Sequence, residues 1–139
     1  MVELSFIDSN IIIFSNVKNS PEYQHALNIV EEGLKGRLHL CFNTIIALES
    51  HYKLAKLTNI EEANYRVGNL FKSKRILYFN VSKETIRSGF SIAKNYNLRT
   101  NDAVIVSSML ENNVTRIYTD NISDFKKITD FEIINPIKR

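Results

Sequence analysis

The sequence predicts an α/β fold in which a central parallel sheet of four to five strands is flanked by helices on both faces. One observation is that short apolar runs alternate with longer amphipathic segments along the whole chain. Another is that no linker, low-complexity stretch or repeat interrupts the 139 residues, which include only four glycines and two prolines. A chain of this length can bury roughly two-thirds of its unfolded surface, so residues 1–139 should form one domain.

Five segments are predicted to be strands because each is a short run rich in apolar or β-branched residues between turn signals. They are Val2–Ile7, Arg37–Phe42, Ile76–Val81, Arg116–Thr119 and Phe131–Ile134. The first strand ends at Asp8-Ser9-Asn10, which predicts a turn into the next helix. Strands that alternate with helices should pair in parallel.

Capping signals and amphipathic spacing predict the helices that lie between these strands. Ser20-Pro21-Glu22 combines a capping serine, a proline at the first helical position and an acid in the first turn. This helix should run to about Leu34, where two glycines stop it. The others should run from Asn43 or Thr44 to about Leu57, from a capping box at Asn59 to about Ser73, from Ser82 to about Tyr96, and from about Asn101 to Glu111.

Composition excludes several classes of protein. The glycines are not spaced to form a phosphate-binding loop, so a nucleotide cofactor is not expected. Cys41 is the only cysteine, which rules out an intrachain disulfide and favours a reducing, cytoplasmic setting. Cys41 and the three histidines lack the spacing of a structural zinc site. Apolar runs of four or five residues are too short to span a membrane, and Met1-Val2-Glu3 does not begin a signal peptide.

Two aspartates stand where a strand ends and where a helix begins. Asp8 directly follows the first strand, so its side chain should emerge at the carboxyl edge of the sheet; the alternative is an ordinary turn aspartate. Asp102 lies in the first turn of its helix and shares the apolar stripe of Ile105, Val106 and Met109. Its alternative role is a favourable interaction with the helix dipole.

Glu49 is predicted to point inward because it shares a helix face with Ile45, Leu48 and Tyr52, which is otherwise apolar. An unpaired carboxylate in a dry interior is strongly disfavoured, so Glu49 should meet water, a cation or a metal. An ion pair with a distant basic residue is the alternative.

The segment Thr119–Phe125 adds Asp120 and Asp124 after the fourth strand, although it could equally be a polar turn. Three or four carboxylates at one edge of a sheet repel one another strongly at neutral pH, and a divalent cation relieves that repulsion. Ligands that are all oxygens select Mg²⁺ or Mn²⁺. The usual substrate of such a site is a phosphate ester.

This ordered set of acids resembles the PIN-domain nucleases, and the length and layout are most similar to the VapC-type ribonuclease toxins. The motifs are Asp8-Ser9-Asn10, Glu49, Asn101-Asp102-Ala103, and Thr119-Asp120-Asn121 followed by Asp124-Phe125. The resemblance covers essentially the whole chain and implies a single PIN-like domain. It also implies metal-dependent hydrolysis of RNA to 5′-phosphate and 3′-hydroxyl ends, a homodimer and, for a toxin, an antitoxin that covers the active site.

The resemblance assigns Asp8, Glu49 and Asp102 to the first three acids of the family. The family has an aspartate two places after the threonine, where this chain has Asn121. Asp120 or Asp124 would therefore be the fourth acid, or Asn121 would hold a metal-bound water.

Three further side chains, those of Ser9, Asn10 and Thr119, are candidates to support the metal ligands or to contact phosphate, with turn and cap roles as the alternative. One ion held by Asp8 and Asp102 would bind the scissile phosphate and acidify a water, which Glu49 would orient or deprotonate. A second ion would stabilise the leaving oxygen. The competing hypotheses are a non-catalytic PIN-like module that binds RNA or protein, and a housekeeping RNA-processing nuclease.

The net charge of +3 is unevenly divided along the chain. Residues 53–99 contain ten basic and three acidic residues, a net charge of +7, whereas the rest of the chain carries −4 and all the candidate ligands. A basic middle beside an acidic pocket suits a nuclease, because the cations can hold a phosphate backbone. Lys72, Lys74 and Arg75 are predicted to contact the RNA backbone; a merely solvated face is the alternative.

Overall fold

The structure, a computed structural model, describes residues 3–139 and has one five-stranded parallel sheet with the strand order β3-β2-β1-β4-β5. The strands are β1 (Leu4–Ile7), β2 (His39–Asn43), β3 (Leu77–Phe79), β4 (Arg116–Tyr118) and β5 (Glu132–Ile134). The predicted parallel α/β fold is confirmed. Val2, the predicted first residue of β1, lies outside the described residues, as does Met1.

Seven helices connect these strands in the described part of the chain. They are α1 (Ser9–Phe14), α2 (Tyr23–Leu34), α3 (Thr44–Leu57), α4 (Ile60–Lys72), α5 (Lys83–Tyr96), α6 (Thr100–Glu111) and α7 (Ile122–Phe125). None of the helices among residues 3–139 has the length and apolar character needed to cross a membrane.

Both faces of the sheet are covered. Phe6 and Ile7 are consecutive in β1, and Leu40, Cys41 and Phe42 are consecutive in β2, yet all five are at most 1% exposed. Successive strand residues point to opposite faces, so helices must pack on each side. The two central strands are therefore held rigidly, which fixes the backbone from which the polar residues at their ends emerge.

The predicted start of α2 was wrong. Ser20 does not cap this helix: its carbonyl accepts the amide of Tyr23 in a turn, and its hydroxyl has no hydrogen-bond partner. The first helical bond within α2 runs from the Ala26 amide to the Glu22 carbonyl at 3.1 Å, so the helix begins two residues after Pro21.

The strands are shorter than predicted, and in β2 and β3 this is because neighbouring groups capture the backbone amides. The amides of Arg37 and Leu38 both donate to the Glu32 carbonyl at the end of α2, so β2 begins at His39. The Val81 amide donates to the hydroxyl of Thr44 at 3.0 Å, beyond the last residue of β3. These contacts come from turns and side chains outside the strands.

The strand order places the candidate site. From β1 the chain goes first to β2 on one side, and later to β4 on the other side. In open α/β sheets, ligands bind beyond the carboxyl ends of strands where the order switches in this way. Ile7 pairs with Tyr118, and the Asp8 amide donates to the Tyr118 carbonyl at 3.0 Å, so Asp8 and Thr119 emerge side by side at this point.

Candidate active site

Asp8 is buried at the carboxyl end of β1, where it is only 4% exposed. Its Oδ1 accepts the amide of Ser9 at 2.8 Å at the start of α1, and its Oδ2 accepts the Thr119 hydroxyl at 2.7 Å and the Asn10 Nδ2 at 3.3 Å. Burial raises the pKa of Asp8 to about 6, although these hydrogen bonds favour the charged form. Asp8 is thus both a helix cap and a carboxylate held in a site that disfavours its charge.

Thr119 connects the end of β4 with the start of α1. Besides donating to Asp8, its hydroxyl accepts the Asn10 Nδ2 at 3.2 Å and the Asn121 amide at 2.9 Å. The Oδ1 of Asn10 in turn accepts the Asp120 amide at 3.0 Å. Asn10 and Thr119 therefore lie behind the Asp8 carboxylate and fix its orientation.

Glu49 lies on α3 beside the same edge of the sheet. Its Oε1 accepts the Ser9 hydroxyl at 3.1 Å, and its Oε2 accepts the Asn101 Nδ2 at 3.0 Å. The prediction that this helix face points inward was wrong, because Leu48 is 63% and Tyr52 is 59% exposed. Glu49 reaches the site from an exposed helix face, and among the described residues it makes no salt bridge.

Asp102 lies in the first turn of α6, and Ile105, Val106 and Met109 on its predicted stripe are fully buried. The pKa of Asp102 is raised to about 7, first by burial and then by the charges of three further acids, with Arg99 opposing the shift. Those acids are Asp8, Glu49 and Asp124. The charges of Asp8, Glu49 and Asp124 therefore all disfavour the ionised form of Asp102.

Asp120 and Asp124 face different partners. Asp120 is bound by both guanidinium nitrogens of Arg139 at 2.8 and 2.9 Å and by the Asn135 Nδ2 at 3.0 Å. The hydrogen bond from Arg139 holds the pKa of Asp120 below its usual range. Asp124 instead raises the pKa of Asp102. Asp124 therefore lies near enough to Asp102 to oppose its charge, whereas Asp120 is joined to the C-terminal segment.

Asn121, the residue at the family's fourth position, supports Asp124. Its Nδ2 donates to the Asp124 Oδ2 at 3.0 Å. Two cations also approach this carboxylate, the Arg99 Nη2 at 4.0 Å and the Lys127 Nζ at 3.9 Å. Asn121 therefore helps to fix the orientation in which the Asp124 carboxylate would contact a divalent ion.

The donor chemistry of the four acids suits a hard divalent cation, because all the donors are carboxylate oxygens and because they disfavour one another's charge. Within residues 3–139, no group of three or more His, Cys, Asp or Glu side chains is close enough together to form a ready-made metal site. Ion binding would therefore require the carboxylates to move closer together.

A cleft of about 570 Å³ opens beside Glu49. One wall is apolar, and the other carries the hydroxyl, amide and carboxylate groups described above together with Lys53. The lining residues are Ser9, Asn10, Ile13, Phe14, Glu49, Tyr52, Lys53, Leu57 and Asn101. Lys53 and Asn101 were not predicted from the sequence to lie at the site. Asn101 could have been predicted, because it directly precedes Asp102.

Lys72, Lys74 and Arg75 do not lie beside the acids as expected. Lys72 ends α4, and Lys74 and Arg75 precede the first residue of β3. In a parallel sheet, residues before a strand lie at the amino edge, whereas Asp8 and Thr119 follow their strands at the carboxyl edge. The three basic residues are thus separated from the acids by the length of the sheet.

Fold and site together define an α/β protein with a cluster of acids at the carboxyl edge of a parallel sheet. The chain belongs to the PIN-domain family, whose sequence model matches residues 5–130. It is similar to Ribonuclease VapC6 of Methanocaldococcus jannaschii, with 24% identity over an alignment of 150 residues that covers 93% of this chain and 95% of that protein.

Solved structures of VapC and VapBC proteins share the fold. The VapBC2 structure from Rickettsia felis, bound to a promoter DNA fragment, has a TM-score of 0.72 with 18% identity and covers 95% of this chain and 98% of that chain. Mycobacterium tuberculosis VapC20, described as a toxin that cleaves the sarcin–ricin loop, has a TM-score of 0.75 with 10% identity and covers 89% and 93%. At such identities the likeness shows the fold.

Proposed function

We propose that this protein is an endoribonuclease that depends on Mg²⁺ or Mn²⁺ and acts as the toxin of a toxin–antitoxin pair. The observation that carries the proposal is that a buried Asp8 at the switch point of the sheet, together with Glu49 and Asp124, raises the pKa of Asp102. The similarity to Ribonuclease VapC6 over nearly the whole of both chains supports the same reaction. The cytoplasm is the location that matches an RNA substrate and a free, buried Cys41.

Each acid has a distinct part in this proposal. Asp8 and Asp102 would hold the ion, because they are the two carboxylates whose charge the surroundings disfavour most. Asp124 would complete the set in place of Asp120, which is occupied by Arg139. Glu49, on the cleft side, would orient the attacking water or accept its proton. When bound, the ion supplies charge neutralisation and a more acidic water.

The polar residues around the acids position them. Ser9 and Asn101 hold the two oxygens of Glu49, while Asn10 and Thr119 hold Asp8. Loss of such a supporting contact typically lowers metal affinity or activity by about 10–100-fold. We do not assign phosphate contacts to these side chains, because their hydrogen-bonding groups already face the acids.

An antitoxin would cover the cleft beside Glu49. Its apolar wall contains Phe14, Tyr52 and Leu57, of which Tyr52 and Leu57 are more than half exposed. This surface suits an amphipathic segment that covers the acids at the same time. A homodimer is also proposed; Phe90 on α5 and Leu110 on α6 are exposed apolar side chains that a second copy would bury.

A non-catalytic binding module is the competing function. Binding alone gives no reason to bury Asp8 and raise its pKa beside three other acids. A housekeeping nuclease would share the site but would need no antitoxin.

The test is cleavage of unstructured RNA by purified protein, with Mg²⁺, with Mn²⁺ and with EDTA. We expect cleavage with metal only, 5′-phosphate products, and a metal-dependent rise in Tm. Asp8→Asn should abolish cleavage and leave the fold intact. Inactivity on varied RNAs together with an unchanged Tm would contradict the proposal, and RNA binding without cleavage would favour the binding module.

A further inference from the structure

Six exposed basic side chains gather at the amino edge of the sheet, in a surface that we call the basic pole. It consists of Lys35, Arg37, His39, Lys72, Lys74 and Arg75. They come from the loop before β2, the first residue of β2, the end of α4 and the loop before β3. All these elements meet at the edge opposite to Asp8.

Direct contact joins the two loops of the basic pole. The Arg75 side chain crosses Gly36, and its Nη1 donates to the Lys35 carbonyl at 3.4 Å. Gly36 has φ +78°, and a Cβ there would collide with the guanidinium, so glycine permits both the turn and the crossing. The loops enclose a concavity of about 300 Å³ without an acidic side chain. It is lined by Leu4, Gly36, His39, Lys74, Arg75 and Leu77.

The positive charge of the basic pole is largely uncompensated. Among residues 3–139, its only salt bridge joins Arg37 to Glu32 at 3.3 Å. Two other acids of the amino edge, Glu3 and Glu132, both bind Arg116 at the start of β4. The acids are therefore drawn to the β4 side, and the β2–β3 side stays basic.

The cations near the carboxylates are in a different situation. Arg99 and Lys127 both lie about 4 Å from Asp124 and partly neutralise it. Four interacting carboxylates repel the phosphates of an approaching RNA, and these two cations only reduce that repulsion. Besides Lys53 in the cleft, a polyanion would gain attraction at the basic pole, where among the described residues only Arg37 is paired with an acid.

We propose that the basic pole is a second RNA-binding surface, which holds the phosphate backbone of a single-stranded RNA whose scissile bond lies at the acids of the opposite edge. This inference rests on the proposed function for the choice of RNA. Lysine and arginine on flexible stems contact phosphates without reading sequence, so the surface would contribute affinity and salt dependence.

The separation of the two surfaces predicts a length requirement. The four residues of β1 span about 13 Å at a rise of about 3.3 Å per residue, and the RNA must pass around the domain between its edges. A trinucleotide would occupy one surface only, whereas a strand of about 20 nucleotides can contact both.

The experiment measures binding without cleavage, by fluorescence anisotropy in EDTA with the Asp8→Asn protein. Lys74→Glu with Arg75→Glu is the test variant. Lys83→Glu with Arg87→Glu on α5 is the matched control. It reverses the charge of two exposed basic residues that also belong to the basic stretch of residues 53–99 but do not lie in the basic pole. We expect the test variant to bind the long RNA at least about tenfold more weakly and to lower the slope of log K against log salt by about 1–2.

The control should lose clearly less affinity, and the Asp8→Asn protein should bind a trinucleotide, which contacts one surface only, more weakly than it binds the long RNA. Equal losses in both variants, or an unchanged affinity for the long RNA, would each overturn the inference. If Arg75→Glu disturbs the fold by circular dichroism, Lys72→Glu with Lys74→Glu replaces it. Failure of the proposed function is separate, because it appears as absence of cleavage by the wild-type protein.

Discussion

Asp8 illustrates what a single residue reveals in the sequence. Its position after an apolar strand was enough to predict a carboxylate at the edge of the sheet, and its turn and site roles proved compatible because Oδ1 caps α1 while Oδ2 faces Thr119. The Thr119 contact could not be predicted, since it depends on the pairing of β1 with β4, 111 residues apart in the chain.

The choice between Asp120 and Asp124 also depends on distant contacts. The sequence left both open because both follow β4 within a few residues. Asp120 accepts hydrogen bonds from Arg139 and Asn135, and neither of these residues belongs to a recognisable motif. Asp124 turns toward Asp102 because Ile122–Phe125 form a short helix that was not predicted.

Asparagine substitutions test this assignment. Asp124→Asn should lower kcat by about 10–100-fold, because it removes a carboxylate that acts on Asp102 while keeping the side-chain size. Asp120→Asn should change kcat less than about threefold and should lower stability by up to about 1 kcal/mol, as expected for loss of a surface ion pair. The measurement is cleavage kinetics with thermal unfolding of each variant. The reverse order of the two effects on kcat would assign the fourth acid to Asp120.

At the scale of elements, local signals located most helix starts. Asn43, Asn59 and Ser82 cap α3, α4 and α5 by accepting amides three residues ahead, as predicted. The capping box predicted at Asn59 was wrong, because the Glu62 carboxylate binds Arg66; the reciprocal bond is found at Ser82, where Thr85 makes it. Ser20 carried the same signal but lies in a turn that leads into α2. Capping depends on a few neighbouring residues and is readable, whereas strand ends are set by partners such as Thr44 that lie elsewhere in the chain.

The contact between α5 and α6 gives a prediction at this scale. A Cβ on Gly89 would lie 2.7 Å from the Val104 Cγ2 and 3.0 Å from the Val104 Cα, so the two helices approach closely only because residue 89 is glycine. Gly89→Ala should destabilise the protein by about 1–3 kcal/mol, as overpacking does, and should shift α6, which carries Asp102.

Gly68 on α4 is the matched control, because nothing lies within 4 Å of a Cβ built there. Gly68→Ala should stabilise the protein by about 0.5–1 kcal/mol through helix propensity alone. Urea unfolding measures both changes. If Gly89→Ala is as stable as Gly68→Ala, the α5–α6 contact has room that the structure does not show.

At the scale of the whole molecule, the sheet separates the acidic residues from the basic residues, which were predicted to lie side by side. The division into a basic middle and an acidic remainder is visible in the sequence, but where the two groups lie in the fold depends on strand direction. Lys74 and Arg75 precede β3, so they lie at the amino edge and not beside the acids as predicted. The acids and the basic pole therefore act on RNA, in our proposal, from opposite ends of the domain.

The acids at one edge also make the stability of the metal-free protein depend on pH. The folded pKa values of Asp8 and Asp102, about 6 and about 7, lie above the ordinary value of 3.8. Between about pH 4 and 7 the folded protein therefore binds more protons than the unfolded chain, and the free energy of unfolding falls as the pH rises. Asp120, whose pKa is lowered, affects stability only below this range.

We expect the metal-free protein to be more stable at about pH 5 than at about pH 7.5, with Asp8 alone contributing about 1–1.5 kcal/mol to the difference. In the Asp8→Asn protein no group titrates at position 8, so its free energy of unfolding should depend less on pH. This variant should also be more stable than the wild type at the higher pH. Thermal unfolding in EDTA across this range measures both proteins, with Asp120→Asn as the control that keeps the wild-type slope. Parallel pH profiles for wild type and Asp8→Asn would mean that the buried carboxylate is charged throughout, and that the other acids do not oppose its charge.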